Sequence, residues 1–96
     1  MSVIHVDIKE IVGVLMRVLD GGEVSESELA DLSFEAEGEL EEALNVAYVQ
    51  LGEFAAAGDA RRGDPERDRQ MREELQACLD EIVRICDAQE SPPRRH

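Results

Sequence analysis

The sequence predicts an all-α fold, a small antiparallel helical bundle of three main helices plus one short helix. Apolar residues recur with helical periodicity in three stretches, and no stretch shows the alternation of a strand. Capping residues, glycines or a proline stand at the ends of these stretches. A chain of 96 residues can bury one core but not two. We therefore expect residues 1–90 to form a single domain and residues 91–96, with two prolines, to form a disordered tail.

The first predicted helix carries its apolar residues on one face. From Ile4 to Leu19 they lie within about 80° on either side of Ile8, at about 100° per residue. Many of them are β-branched, so tertiary contacts must hold this helix. Gly21 and Gly22 are expected to end it, because glycine readily adopts the left-handed conformation common at helix C-termini.

A short second helix is predicted from the spacing of Ser25 and Glu28, which is that of a capping box. It is expected to run to about Leu32, with Leu29 and Leu32 directed inward. Residues 33–38 then form a connection.

The third helix has the strongest periodicity and is predicted from about Glu39 to Ala57, with Gly58 as its stop. Its apolar stripe spans about 140° at the helical repeat. Val46 and Val49 fall outside the stripe. They either receive the first helix from the other side or form the seam of a homodimer.

The last helix follows a predicted polar loop at Asp59–Gly63. Asp64 is a suitable cap and Pro65 a suitable first helical residue. The apolar residues from Met71 to Cys86 form an arc of about 120° that faces the core.

No residue pattern indicates a catalytic centre, a metal site or a cofactor, so we do not expect an enzyme. Cys78 and Cys86 lack the spacing of a redox or zinc motif and are interpreted as buried thiols. His5 has no Cys or second His nearby, and His96 is terminal. The carboxylate pairs all fall on predicted polar faces, where nothing would raise one pKa to make a general acid.

The chain also lacks the pattern of a signal peptide or a membrane span. The apolar stretch Ile11–Leu19 is short, contains Arg17 and follows an acidic start. We therefore expect a cytoplasmic protein with no membrane partner. The net charge of −13 argues against a nucleic-acid partner as well.

The negative charge is concentrated in residues 21–58, which hold ten acidic residues and no basic one. One interpretation is a solvated face that also stabilises helix N-termini. The other is a surface for a basic protein partner, because such a field speeds association and rejects wrong partners. In that case Tyr48 is a possible aromatic anchor. The predicted recognition acids are Glu28, Asp31, Glu35, Glu37, Glu39, Glu41 and Glu42.

Several short segments occur in a familiar order. The segment LMRVLDGGEVS at residues 15–25 is followed by Glu28-Leu29, by a Leu-x-x-x-Leu helix with a later aromatic residue over 40–54, and by a final helix from Asp68. In this order of elements the chain resembles the immunity proteins of the colicin D type. The resemblance implies a small acidic helical protein that binds and blocks the basic nuclease domain of a bacteriocin.

Two functional hypotheses follow. In the first, the protein is an acidic binder whose carboxylates replace phosphates in the substrate groove of a basic partner, such as a nuclease toxin. In the second, it is a structural or regulatory homo-oligomer held by Val46 and Val49. The first predicts binding that is sensitive to salt, and the second predicts a dimer that is not.

Overall fold

A computed structural model describes residues 8–90, with side chains up to residue 88, and this part of the chain is helical without any strand. The predicted all-α class is therefore confirmed. The predicted start of the first helix at Ile4, the two histidines and the tail 91–96 lie outside the described residues. The helices are α1 (Lys9–Leu19), α2 (Glu26–Ala30), α3 (Glu39–Ala56), α4 (Gly58–Arg62) and α5 (Pro65–Glu90).

One hydrophobic core is shared by the three long helices. Helix α3 packs most extensively against α5, and α1 contacts both, while α2 lies on α3 and α4 lies on α5. Cys78 and Cys86 are buried, as predicted. Met16, at the edge of the predicted apolar face of α1, is instead 58% exposed. The most deeply buried side chains of the long helices include Ile11, Leu15, Leu44, Leu51, Phe54, Leu75 and Ile82.

The predicted glycine stop of α1 is confirmed. Gly21 has a φ of +98°. Its N–H donates to Val18 O at 3.1 Å, and the N–H of Gly22 donates to Arg17 O at 2.9 Å. This is the paired bonding of a Schellman motif. A Cβ on Gly22 would lie only 2.8 Å from Arg17 O, so both glycines are required by the turn.

The two predicted N-terminal caps are also present. The Ser25 hydroxyl accepts the N–H of Glu28 at 3.0 Å, and the Asp64 carboxylate accepts the N–H of Arg67 at 3.2 Å. The Glu28 carboxylate accepts a hydrogen bond from Arg17 at 2.6 Å. The cap of α2 therefore also contributes a link to α1.

The connection between α3 and α5 differs from the prediction. Asp59–Gly63 was expected to be a polar loop after a stop at Gly58, and this expectation is wrong. Gly58 begins α4, and the N–H of Arg61 donates to Ala57 O at 2.8 Å. The reason is that this extra turn brings the Arg61 side chain back over Phe54. Residues 8–90 thus contain two short helices instead of the one predicted, and α2 ends at Ala30, earlier than predicted.

Arg61 is the one charged side chain that is buried in the described part of the chain, at 4% exposure. Its guanidinium carbon lies 3.4 Å from the centre of the Phe54 ring, and its Nε donates to Phe54 O at 3.0 Å. Its terminal nitrogens donate to Glu23 at 2.7 Å and to Asp68 at 2.6 Å. A buried charge is tolerated only when it is paired and hydrogen-bonded in this way.

Arg72 completes what we call the arginine cluster, which consists of Glu23, Phe54, Arg61, Asp68 and Arg72. Arg72 donates to Asp68 at 2.8 Å and to Glu23 at 3.0 Å. It also donates to two backbone carbonyls near the end of α1, Val18 O at 2.5 Å and Gly22 O at 3.0 Å. The cluster therefore joins the end of α1 to α3, α4 and α5.

The arginines of this cluster favour the ionised form of its carboxylates. Hydrogen bonding from Arg61 is the largest effect that lowers the pKa of Glu23, and hydrogen bonding from Arg72 is the largest that lowers the pKa of Asp68. Partial burial opposes both shifts. The pKa of Arg61 is raised, first by its hydrogen bond to Glu23.

Replacing Arg61 by Met should destabilise the fold strongly. The substitution leaves Phe54 O without its donor and removes one of the two arginines that bind Glu23 and Asp68. We expect the free energy of unfolding in urea to fall by about 3 kcal/mol. Arg61→Lys should recover little of this, because an ammonium lacks the planar fork. The control Arg67→Met, on an exposed side chain, should change stability by less than about 0.5 kcal/mol, and equal losses for both sites would contradict the prediction.

The contribution of Glu23 to stability should depend on pH. Because its pKa in the folded protein is lowered, the stability difference between the protein and its Glu23→Gln variant is complete above the ordinary glutamate value of 4.5. It should shrink as the pH falls below 4.5 through the lowered pKa of the folded state. Urea titrations of both proteins between pH 7 and pH 3 measure this. A difference that stays constant over the range would show that the ion pairs of Glu23 contribute nothing.

Candidate functional site

The structure separates the predicted recognition acids into three places. Glu28 belongs to α2 and is paired with Arg17, and Asp31 is the exposed residue that ends α2. The other five lie around the N-terminal part of α3, on two sides of that helix. The sequence run is therefore not one continuous surface.

The first side of α3 forms what we call the acidic cleft, of about 580 Å³. It lies between the connection that precedes α3 and the helix itself. Three of the predicted acids, all exposed, come together there without a basic neighbour in the lining. The cleft is lined by Phe34, Glu35, Ala36, Glu37, Glu41 and Asn45.

The second side of α3 faces α5 and forms what we call the α3/α5 groove, of about 450 Å³. Two predicted acids, Glu39 and Glu42, line it from α3. Glu74 and Glu81, which were not predicted as site residues, line it from α5. The complete lining is Glu39, Glu42, Ala43, Val46, Gln50, Glu74, Ala77, Cys78, Glu81 and Ile85.

The spacing of the α5 residues was a signal that sequence reasoning could have used. Glu74, Cys78, Glu81 and Ile85 recur at intervals of three and four, which places them on one stripe of a helix. Only the packing of α5 beside α3, however, shows that this stripe faces Glu39 and its neighbours.

Most arginines are already bound to acids outside the cleft and the α3 wall of the groove. Within residues 8–88, Asp31 and the five predicted acids of the cleft and the groove form no ion pair. The ion pairs join Arg17 to Glu28, Arg61 and Arg72 to Glu23 and Asp68, Arg62 to Asp59, Arg69 to Glu66 and Glu73, and Arg84 to Glu81.

The pKa of Arg84 is raised by two glutamates that line the groove, Glu81 and Glu39. Its hydrogen bond to Glu81, at 2.6 Å, is the largest effect raising the pKa of the guanidinium, and the charge of Glu39 adds to the shift. The N-terminus of α3 therefore lies near the C-terminal part of α5. The other three glutamates of the groove, Glu39 included, have no bonded cation in the described residues.

Tyr48, the predicted aromatic anchor, is half-buried and makes contacts within the fold. Its hydroxyl donates to Leu29 O at 3.1 Å, and its ring centre lies 5.9 Å from that of Phe34. Tyr48 thus fastens α2 and the following connection to α3. The Tyr48 ring supports the wall of the acidic cleft through its contact with Phe34.

Val46 and Val49 are 52% and 58% exposed. The alternative in which they receive the first helix is therefore wrong, and the reason is their position on the far side of α3 from the buried Leu40 and Leu44. Val46 also lines the α3/α5 groove. An apolar group is thus available to a partner beside the acids.

The chemistry of the site is that of charge and apolar contact. Within residues 8–90, no three His, Cys, Asp or Glu side chains form a group suited to a metal ion. Burial, and then the charge of Glu74, raise the pKa of the Cys78 thiol, which disfavours the nucleophilic thiolate. None of the described helices has both the length and the apolar character that crossing a bilayer would require.

Comparisons with known protein families, with curated proteins and with solved structures gave no match for this chain.

Removing the Tyr48 hydroxyl tests whether this residue serves the fold. Tyr48→Phe keeps the ring against Phe34 but leaves Leu29 O without its donor. We expect the free energy of unfolding in urea to fall by about 1 kcal/mol. A variant with unchanged stability but weakened partner binding would assign the hydroxyl to the partner instead.

Proposed function

We propose that the protein is an acidic binding module that docks on a basic protein surface and blocks it, in the way that an immunity protein blocks a nuclease toxin. The observation that carries the proposal is the set of exposed carboxylates, from the end of α2 to the first turn of α3, that form no ion pair within residues 8–88. They are Asp31, Glu35, Glu37, Glu39, Glu41 and Glu42.

Helix stability alone accounts for only part of this charge. Glu39, Glu41 and Glu42 lie in the first turn of α3, where acids interact favourably with the helix dipole. Glu35 and Glu37 precede the helix and gain no such stabilisation. Some acids elsewhere, such as Glu66, Glu73 and Glu81, are paired with arginines, whereas residues 21–58 contain no basic residue at all. This one-signed stretch favours a role outside the fold.

The proposed mechanism is exclusion without covalent chemistry. The carboxylates occupy the positions that substrate phosphates would take in the basic partner, and their field accelerates the encounter. The partner is a basic protein, possessing a nuclease activity in our leading version, and neither nucleic acid nor a membrane is the target. We place the encounter in the cytoplasm.

The same proposal includes the antiparallel arrangement of the long helices expected from the sequence. Three contacts support it for α3 and α5. The charge of Glu39 acts on Arg84, the Gln50 amide oxygen lies 3.5 Å from the Cys78 sulfur, and Phe54 lies under Arg72. In the proposed arrangement, residue numbers rise along α3 while they fall along α5.

The order of elements further supports a relation to the colicin D-type immunity proteins. An opening helix that ends at Gly21-Gly22, a capped short helix, a long helix bearing Tyr48 and Phe54, and a final long helix follow one another as the resemblance implies. On this proposal the chain would inhibit a bacteriocin nuclease.

A homodimer through Val46 and Val49 is the second candidate, and the exposure of both side chains favours it. Its weakness is charge, because each protomer carries −13 and the groove beside Val46 is acidic. Analytical sedimentation distinguishes the homodimer from the binding module. A dimer that persists at high salt supports the second candidate, and a monomer with salt-sensitive partner binding supports the first.

Neutralising the start of α3 should abolish most of the binding. We expect the Gln variant of Glu37, Glu39, Glu41 and Glu42 to bind basic nuclease domains at least tenfold more weakly and with less dependence on salt, because four charges are lost. Isothermal titration against a tRNA-cleaving and a DNA-cleaving domain measures this.

The matched control for this variant removes four acids elsewhere, by Glu26→Gln, Glu53→Gln, Asp80→Asn and Asp87→Asn. It has the same net charge and should bind within about threefold of the original protein, because long-range attraction between exposed charges is screened. If both variants weakened binding equally, net charge alone would explain the effect. If the Gln variant of Glu37, Glu39, Glu41 and Glu42 bound as well as the original protein, the proposed surface would be refuted.

A further inference from the structure

We propose that the α3/α5 groove receives a basic amphipathic helix of the partner, with its apolar stripe on the groove floor and its lysines or arginines against the two acidic walls. The inference rests on the proposed function and names the contact by which binding occurs. It assigns the groove, and not the acidic cleft, as the centre of the interface.

The shape of the groove is the first argument. On α3 the lining residues follow Glu39 at intervals of 3, 4, 7 and 11 residues, and on α5 they follow Glu74 at the same intervals. Two straight helical stripes of equal length therefore face each other. At 1.5 Å per residue each is about 16 Å long, which is about three turns of a docked helix.

The floor of the groove is the second argument. It is formed by small or apolar side chains, including Ala43, Ala77, Ile85 and the buried Cys78. The two alanines let another backbone approach closely. Val46 rises beside them at 52% exposure, so an apolar side chain placed against it would be removed from water.

The charge of the walls is the third argument and selects the occupant. Glu39 and Glu42 stand on α3, and Glu74 and Glu81 stand on α5. A helix with basic residues on both flanks of an apolar stripe meets a glutamate on either side. A second copy of this chain would instead bring acids against acids, since each copy carries −13.

The test uses the full chain and two acetylated, amidated, fluorescein-labelled peptides of about 15 residues. One has leucines at helical spacing between lysines, and the other has the same composition with the leucines scrambled. Fluorescence anisotropy should show the amphipathic peptide binding at least tenfold more tightly. Equal binding of both peptides would show attraction by charge alone and would overturn the inference.

Variants then locate the peptide. Glu42→Gln with Glu74→Gln removes from each wall one exposed acid that has no ion pair in the described residues. It should weaken binding about tenfold, as expected for two lost ion pairs. Glu53→Gln with Asp87→Asn, also one exposed acid on each helix but outside the groove, should change it less than twofold. Equal effects would place the peptide elsewhere.

Alkylation of the thiols provides a readout independent of charge. Cys78 lies on the groove floor at 8% exposure and Cys86 in the core at 0%. Trypsin cleaves after Arg84, so mass spectrometry follows the two thiols on separate fragments. Bound peptide should slow iodoacetamide modification of Cys78 at least fivefold more than that of Cys86. Equal slowing would indicate general stabilisation and would contradict docking in the groove.

Two other occupants of the α3/α5 groove would each give a different experimental result. A salt-resistant dimer that the peptide cannot dissociate would assign the groove to a second copy. Tighter peptide binding by Arg94→Gln with Arg95→Gln would assign it to the chain's own C-terminal segment. Either result overturns the inference. If groove variants leave nuclease binding intact while the Gln variant of residues 37–42 abolishes it, the inference fails and the proposed function stands.

Discussion

The structure depends on the burial of one cation. Arg61 can leave water only because the Phe54 ring, the Phe54 carbonyl and the carboxylates of Glu23 and Asp68 surround it. These partners come from the turn after α1, from α3 and from α5, so the requirement to satisfy one guanidinium fixes where three helices meet. It also explains α4, a single short helix whose role is to return Arg61 to the end of α3. Replacing such a cluster by apolar residues can be neutral for stability, but removing one member leaves buried charge uncompensated.

This constraint divides the acids of the middle segment by role. Glu23 serves the arginine cluster and Glu28 joins α2 to Arg17, so both contribute to the architecture. The acids from Glu35 to Glu42 lie at the other end of α3, away from those arginines, and the described residues offer them no bonded cation. The arginines of the cluster thus lie at the C-terminal end of α3, and acids without an ion pair lie at its N-terminal end. The docking surface we propose is the second of these ends, extended by the α5 wall of the groove.

Helix content, caps and core positions could be predicted because they depend on local spacing. The Schellman turn at Gly21-Gly22 and the Asp64 cap are examples. The arginine cluster could not, because Arg61 lies outside any periodic stretch and its partners are distant in sequence. One signal was present, since Asp68 and Arg72 fall at about 60° and 100° from Met71, within or beside the apolar arc of α5. Charged residues on such a face indicate a buried ion pair. The contributions of Glu74 and Glu81 to the groove required the register of α5 against α3, which periodicity within one helix does not contain.

The central claim is that a partner meets the N-terminal end of α3 and its groove with α5, while the arginine cluster stays inside the fold. An NMR titration of the labelled protein with a basic nuclease domain tests it residue by residue. The account predicts that backbone amide shifts change most over residues 35–46 and 74–85 and little over residues 58–72. Changes concentrated around Arg61 and Arg72, with the start of α3 unperturbed, would contradict it.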